Sequence, residues 1–317
     1  MSSSRDSTSQ SQQELLERAK QLGLRALTLV DGLRVGDQAS PLRGFSIEFA
    51  QHREYVPGDD LRHLDWRGYA RTERFIVKQY DQETNYTAHI LLDLSGSMAY
   101  GKLGESKYEQ AQLLAAVISQ VGISQANAIG IKILEEPQAG EPAPSLPPST
   151  KPDRLRLLLD SISRRKPMPE RNRETQVPII ETAIRELSDK VGRRGLVVII
   201  SDLFEPWEPL MAQMQGLRIR GHDVMVLHVL HSHEIDLPWE GQVQFEDLES
   251  SDFLLTQPHL LRASYQKALQ DWLEEIKSFC TKSRIEYVLV PSDQPPDESL
   301  LSMLAQRLKK RRIGRTS

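Results

Sequence analysis

The fold is decided by the stretch Ala88-His89-Ile90-Leu91-Leu92-Asp93-Leu94-Ser95-Gly96-Ser97-Met98. Its first five residues, 88–92, are nearly all apolar, which predicts a strand that is buried on both faces in a parallel sheet. Oxygen-bearing side chains follow at alternate positions, at Asp93, Ser95 and Ser97, and a helical pattern comes after them. These side chains should therefore lie at the carboxyl edge of the sheet, where open α/β sheets bind their ligands.

Strands and helices alternate along the rest of the chain. Apolar stripes predict helices over 105–122, 153–164, 177–191, 206–219, 258–281 and 297–311, and apolar runs predict strands over 128–134, 196–200, 224–230 and 285–290, with a weak β pair around 242–256. The Pro- and Gly-rich residues 137–152 are interpreted as a long loop in place of a short edge strand. Alternation with short connections predicts an α/β fold with a doubly wound, mostly parallel sheet.

Three segments are expected along the chain. They are a disordered tail at 1–12, an N-terminal helix and β-rich module at 13–86, and the sheet domain at 87–312. Within the second segment, apolar spacing indicates one or two short helices before residue 33, with Gly23 and Gly32 as breaks. Alternating residues at 45–49 and 75–80 then predict strands, which makes this a small β-rich module.

Composition places the chain among ordinary globular proteins. Of its 317 residues, 39% are hydrophobic and 26% are charged, and a net charge of -4 gives no general attraction to nucleic acid. The single cysteine, Cys280, excludes an internal disulfide, fits a reducing compartment and lies on the apolar face of a helical pattern. With no recognisable signal peptide and no run of about 20 apolar residues for a membrane span, we expect a cytoplasmic protein.

A second apolar strand, 196–200, also leads into an aspartate, Asp202. If the two strands are neighbours, Asp93 and Asp202 face each other, and each raises the pKa of the other unless a cation is present. The alternative is that each aspartate caps a turn or helix. Oxygen ligands without cysteine favour Mg²⁺ or Mn²⁺ over zinc, although His228, His231 and His233 offer a weaker zinc alternative.

Two motifs carry a resemblance to known families. The pattern Asp93-x-Ser95-x-Ser97 resembles the first motif of the metal-ion-dependent adhesion site in von Willebrand factor A domains. An upstream run reads Tyr55-Val56-Pro57-Gly58-Asp59-Asp60-Leu61-Arg62-His63-Leu64-Asp65-Trp66, with Ala70-Arg71 after it. This run resembles the bacterial domain-of-unknown-function family fifty-eight. Members of that family often accompany MoxR-type AAA+ ATPases. The charged residues of this run form either a partner-binding surface or an ion network that fastens the β module to the sheet domain.

The resemblance implies a set of metal ligands. Ser95, Ser97 and Thr175 would contact a Mg²⁺ or Mn²⁺ ion directly or through water, while Asp93 and Asp202 would hold its waters. An acidic side chain of a partner protein would complete the coordination. Here the threonine lies in Arg-Glu-Thr-Gln, where members of the family often have a Gly-Gly-Thr-Asp-like sequence.

The resemblance therefore implies a non-enzymatic, Mg²⁺-dependent binding protein with a von Willebrand factor A-like fold. Its expected partner is a MoxR-type AAA+ ATPase, in chaperone-like assembly or maturation of other proteins. One alternative is a metal-dependent hydrolase or phosphatase that uses Asp93 and Asp202, although no Gly-x-Ser-x-Gly elbow surrounds Ser95 or Ser97. Another is a scaffold with a vestigial metal site.

Overall fold

The structure, a computed structural model, describes residues 17, 20–31, 49–54, 75–80, 87–135, 145–151, 153–165, 167, 179–190, 195–204, 206–248 and 252–308. Its elements in chain order are α1 (20–31), β1 (Phe49–Glu54), β2 (Ile76–Tyr80), β3 (Thr87–Asp93), α2 (Lys107–Ser124), β4 (Ala128–Leu134), β5 (Ser145–Ser149), α3 (Asp153–Arg164), α4 (Ile179–Lys190), β6 (Leu196–Ser201), α5 (Trp207–Ile219), β7 (Asp223–Leu230), α6 (Ser232–Asp236), β8 (Val243–Glu246), β9 (Phe253–Thr256), α7 (Pro258–Lys282), β10 (Glu286–Pro291) and α8 (Glu298–Leu308).

The chain divides into two compact units. One comprises Met1–Gly36 and Tyr86–Lys309, and the other comprises Asp37–Asn85 and Lys310–Ser317. In the second unit, β1 and β2 pair antiparallel, with an irregular register near Phe49. The predicted Asp-Arg cluster of residues 59–71 and the disordered tail at 1–12 lie outside the described residues.

The first unit is built on a sheet whose described strands have the order β10-β7-β6-β3-β4-β5. All neighbouring strands are parallel except β5, which runs antiparallel to β4 at one edge. Every residue of β6 is buried, as expected for a central strand that is covered on both faces. The mixed α/β fold with a mostly parallel central sheet is confirmed.

Side chains of the central strands alternate between two apolar cores. Ala88, Ile90 and Leu92 of β3 pack with α1, α2, α3 and α8 on one face of the sheet. Leu91 points the other way and packs with α4, α5 and α7. Helices therefore cover both faces, and the strand ends remain as the places where polar side chains collect.

The prediction of a long loop at 137–152 is wrong, because β5 lies within it. The strand contains Pro147 and Pro148, which a central strand does not tolerate but an edge strand does. Opposite them the register of β4 shifts near Gly130, where an added Cβ would lie 2.8 Å from the Pro148 nitrogen. The missing side chain allows the proline-containing strand to approach.

The first helix also differs from its prediction. Gly23 was expected to break it but lies inside α1, where an added Cβ would be 3.0 Å from Cδ1 of Leu159. Leu22, Ala26 and Val30 of this helix are buried in the core of the sheet unit. The helix therefore belongs with the sheet domain rather than with the β module, because its apolar stripe is buried there.

The apolar stripe predicted along residues 258–281 is buried over only part of α7. Ile276 and Cys280 are buried, and burial raises the pKa of the Cys280 thiol to about 12, as expected for an inert core cysteine. Leu261, at the other end of the stripe, is 46% exposed. The weak β pair predicted just before this helix is present as the antiparallel strands β8 and β9.

Candidate functional site

The two predicted aspartates lie at the same edge of the sheet. Strands β3 and β6 are parallel neighbours, with Leu92 opposite Ile200 in the register. Asp93 is the last residue of β3, and Asp202 follows the last residue of β6 directly. Both side chains are buried, with 3% and 1% of their surfaces exposed. The structure thus brings together two carboxylates that are 109 residues apart in the sequence.

Asp93 is held by uncharged donors. Its Oδ1 accepts a hydrogen bond of 2.8 Å from the Ser95 backbone N–H, and its Oδ2 accepts one of 2.5 Å from the Ser201 hydroxyl. Among the described residues, no lysine, arginine or histidine forms an ion pair with it. Burial and then the charge of Asp202 raise the pKa of Asp93 to about 7. A cation beside this carboxyl group would therefore be stabilising.

The two predicted serines lie close to each other. Ser95 precedes a short 3-10 helix, Gly96–Ala99, and its hydroxyl oxygen is 3.0 Å from that of Ser97. Both residues are half-buried, so the two hydroxyl groups lie near the surface beside a buried carboxyl group. Thr175, the remaining predicted ligand, lies outside the described residues.

Asp202 differs from Asp93 because a buried lysine neutralises it. The Lys107 ammonium donates to Asp202 Oδ2 and to Glu234 Oε1, each at 2.7 Å, and its side chain has no exposed surface. Burial lowers the pKa of Lys107, but attraction to the two carboxylates outweighs this and raises it above its ordinary value. Sequence reasoning missed this ion pair entirely.

The position of Lys107 follows from the start of α2. Ser106 caps the helix, and its hydroxyl accepts from the Glu109 N–H at 3.2 Å. The Lys107 N–H donates to the Tyr100 carbonyl at 3.0 Å. In the sequence, Lys107 stands four residues before Ala111, on the apolar stripe of the helix. A lysine on a core-facing stripe was the signal that could have revealed it.

Glu234 reaches the site from α6, which was not predicted. Its Oε2 accepts from the His231 N–H at 2.8 Å, while its Oε1 binds Lys107. This is a capping box in which His231 takes the position that a serine or threonine usually occupies. The unusual capping residue explains why the helix was missed.

The turn after β6 has a backbone conformation that is unusual for its residues. Leu203 has φ of +59° and is buried, and its N–H donates to the Ser201 hydroxyl at 2.9 Å. Phe204 is 50% exposed, and its ring lies 4.9 Å from the Lys107 ammonium and stacks on Trp272. The aromatic ring covers the buried ion pair.

The histidines of the weaker zinc alternative have other partners. His228 Nε2–H donates to the Asp202 carbonyl at 2.9 Å, which leaves Nδ1 to accept from the Tyr287 hydroxyl at 2.8 Å. Burial lowers the pKa of His228 to about 4, so the ring is neutral. Within the described part of the chain, no three His, Cys, Asp or Glu side chains cluster as metal ligands. An ion at this edge would therefore depend on hydroxyl groups and water.

The described residues fit a hard divalent cation that keeps several waters. Asp93, Ser95 and Ser97 supply oxygen atoms within one short segment, and Mg²⁺ favours oxygen ligands and retains water. Asp202 has one oxygen bound to Lys107, while its Oδ1 accepts a long hydrogen bond of 3.4 Å from the Phe204 N–H. Its role toward an ion would be to hold water.

The fold places the chain among α/β proteins with a mostly parallel central sheet and charged groups at the strand ends. A family model described as "Protein of unknown function DUF58" matches residues 51–274, and the chain belongs to this DUF58 family. The predicted resemblance to family fifty-eight is confirmed.

Two mycobacterial relatives match a large part of the chain. "Uncharacterized protein Rv1480" of Mycobacterium tuberculosis and "Uncharacterized protein Mb1516" of Mycobacterium bovis are each 29% identical over 223 residues, which is 70% of this chain and 67% of each relative. Among solved structures, conserved hypothetical protein BatB from Bacteroides thetaiotaomicron has a TM-score of 0.45 and 16% identity, over 71% of this chain and 98% of that chain.

A second solved structure is an aerotolerance-related membrane protein from Bacteroides fragilis NCTC 9343 with multiple mutations to serines. It has a TM-score of 0.44 and 20% identity, over 72% of this chain and 100% of that chain. In the present chain, none of the helices in the described ranges has the length and apolar character that a membrane span needs.

Proposed function

We propose that this protein is a non-enzymatic, Mg²⁺-dependent protein-binding module with a von Willebrand factor A-like fold. The observation that carries the proposal is the buried Asp93 carboxyl group. It lies beside the paired hydroxyls of Ser95 and Ser97, and none of its described partners is a cation. A divalent ion would supply the missing positive charge at the point where hydroxyl ligands already meet.

The proposed ligands are those of the predicted adhesion site. Ser95 and Ser97 would contact the ion, Asp93 and Asp202 would bind its waters, and Thr175 would add a further hydroxyl. A site with few direct carboxylates leaves the cation electrophilic, so that it attracts an acidic side chain from a partner protein. Mn²⁺ would serve in place of Mg²⁺, because it favours the same oxygen ligands.

For the partner we propose a MoxR-type AAA+ ATPase, in chaperone-like assembly or maturation of other proteins. This rests on the resemblance of the Pro57-Gly58-Asp59-Asp60 segment to the family and on the family match itself. The chain has no Walker phosphate loop, so a partner would have to supply ATP hydrolysis. A cytoplasmic location belongs to the same proposal and is supported by the single cysteine.

Thermal unfolding in EDTA and in Mg²⁺ tests the metal dependence. An ion that binds only the folded state at 100 times its Kd adds about 2.7 kcal/mol to the free energy of unfolding. We expect Mg²⁺ to raise the Tm of the wild type, and Asp93→Ala to abolish the increase. The same melting temperature with and without saturating Mg²⁺ would contradict the proposal.

Affinity capture from the native cell tests the partner. We expect an AAA+ ATPase to be retained in Mg²⁺ and released by EDTA. Ser97→Ala should weaken retention, because it removes one hydroxyl ligand while Asp93 remains. Retention that is unchanged by EDTA and by Ser97→Ala would instead favour the scaffold alternative.

A metal-dependent hydrolase or phosphatase is a second candidate. The specific observation in its favour is the pKa of Asp93, which burial and the charge of Asp202 raise to about 7, the range that suits a general acid or base. Turnover of simple phosphoesters that is lost in Asp93→Asn would support it. Inactivity with such substrates would leave protein binding as the better account.

A further inference from the structure

We propose that Lys107 is a built-in counter-ion that sets the divalent-ion affinity of this site, by competing with the metal ion for Asp202. The inference rests on the proposed metal dependence and adds a residue that the metal-site resemblance does not include. It assigns Glu234 a second role, as the carboxylate that keeps Lys107 in place when Asp202 turns toward the waters of the ion.

The first argument is geometric. Lys107 has no exposed surface, and its ammonium lies 2.7 Å from an oxygen of each of two carboxylates, Asp202 and Glu234. A buried ammonium that lost all its partners would be strongly destabilising, so it must keep at least one carboxylate in every state of the site. Glu234 provides that carboxylate and is itself fixed by the His231 N–H at 2.8 Å.

The second argument is charge balance. Three carboxylates, Asp93, Asp202 and Glu234, and one ammonium, Lys107, carry a formal charge of −2 when all are ionised. One divalent cation neutralises this charge. Without the lysine the group would carry −3 and attract the ion more strongly, and without Glu234 it would carry −1 and attract it less.

The third argument is enclosure. The Phe204 ring lies 4.9 Å from the Lys107 ammonium and stacks on Trp272 at a centroid distance of 5.6 Å. The ring centroid of Tyr100 lies 6.0 Å from the same ammonium. The aromatic rings reduce solvent screening, so the charge of Lys107 acts on a nearby ion more strongly than a surface lysine would.

Two substitutions should change Mg²⁺ binding in opposite directions. Isothermal titration of the full chain with MgCl₂ should show binding that is at least about tenfold tighter in Lys107→Met and at least about tenfold weaker in Glu234→Gln than in the wild type. Without Mg²⁺, Lys107→Met should also melt at a lower temperature than the wild type, and Mg²⁺ should restore most of the difference. A lysine with a merely structural role would give no tighter binding.

The control is Lys132→Met, which removes a half-buried lysine paired with Glu186 at 2.7 Å. It should leave Mg²⁺ affinity unchanged. If Lys107→Met binds Mg²⁺ no more tightly than the wild type, the counter-ion role is overturned while the metal site stands. If Lys107→Met does not fold, the titration of Glu234→Gln tests the proposal by itself. An unaltered Mg²⁺ affinity in that variant overturns the counter-ion role. If the wild type itself binds no Mg²⁺, both proposals fail.

Discussion

Strands β3 and β6 lie side by side, and a buried aspartate stands at the carboxyl end of each, but the two aspartates have different partners. Asp202 forms an ion pair with Lys107, which also binds Glu234. Asp93 accepts from the Ser95 N–H and the Ser201 hydroxyl, and none of its described hydrogen-bond donors is charged. Burial and the charge of Asp202 accordingly raise the pKa of Asp93 to about 7.

The difference shows where a ligand would act on this sheet edge. At the end of β6, the Lys107 ammonium already neutralises Asp202. The main role of Asp202 in the folded protein is therefore to stabilise this buried ion pair. The end of β3 has a carboxyl group and two hydroxyls without a described cation. A bound divalent ion would therefore be stabilised most strongly at the end of β3. The comparison can be tested by removing or titrating one aspartate at a time.

The largest expected effect is the loss of stability on replacing Asp202. Asp202→Ala leaves the buried Lys107 with a single carboxylate, and we expect a decrease of about 4 kcal/mol in the free energy of unfolding, measured with urea in EDTA. Asp93→Asn should cost less than about 1 kcal/mol, because the amide oxygen can still accept from the Ser95 N–H while the amide nitrogen can donate to the Ser201 hydroxyl oxygen.

The partly exposed pair of Lys132 and Glu186 provides the control for that measurement, since their side chains are 22% and 47% exposed. Glu186→Ala should cost at most about 1 kcal/mol. Equal losses of unfolding free energy for Asp202→Ala and Asp93→Asn would show that the two aspartates do not differ in their electrostatic partners.

The next effect is a pH dependence that belongs to Asp93 alone. Its folded pKa is about 7 and its ordinary value is 3.8, so the folded state binds its proton more tightly than the unfolded state. This contribution to stability is present below pH 4 and is lost as the pH rises through 7. In EDTA, the stability of the wild type relative to Asp93→Asn should therefore fall by about 3 kcal/mol between pH 4 and pH 7.

Two histidines, half-buried His89 and buried His228, act in the opposite direction over part of that range. Burial lowers the pKa of His89 and of His228 to about 4, so their contributions are lost as the pH falls from about 6.5 toward 4. Both proteins contain these histidines, so the difference between wild type and Asp93→Asn isolates the aspartate. A difference that does not change with pH would show that Asp93 is ionised in the folded protein throughout.

The smallest effect concerns the hydroxyl that links the two strand ends. Ser201 donates to Asp93 and accepts from the Leu203 N–H, so Ser201→Ala should reduce the free energy of unfolding by about 1–2 kcal/mol. Ser119→Ala is a matched control, because Ser119 is also buried but donates to the Ala115 carbonyl of its own helix. It should change stability by less than about 0.5 kcal/mol. Equal effects of the two substitutions would argue against a link through Ser201.

Much of the sheet could be predicted because its strands are continuous apolar runs. The runs 88–92 and 196–200 are too apolar for any place but the centre of a sheet, and the polar residues after them must lie at its edge. Neighbouring parallel strands then bring Asp93 and Asp202 together. These steps need only local pattern and topology.

The remaining features depend on contacts between distant residues. Lys107 and Glu234 are separated by 127 positions, and neither shows in the sequence that it binds the other. Strand β5 contains two prolines and forms only because Gly130 lets it approach β4. Helix α1 keeps Gly23 in its interior because Leu159 packs against it. In each case tertiary packing outweighs local propensity.

The central claim is that the end of β3 binds a divalent cation, and Mn²⁺ titration followed by electron paramagnetic resonance tests it most directly. Free Mn²⁺ gives a strong signal that is lost on binding, so the wild type should remove one equivalent of the signal and Mg²⁺ should restore it. Asp93→Ala should leave the free signal intact. A wild type that removes no more free Mn²⁺ than Asp93→Ala would contradict the account.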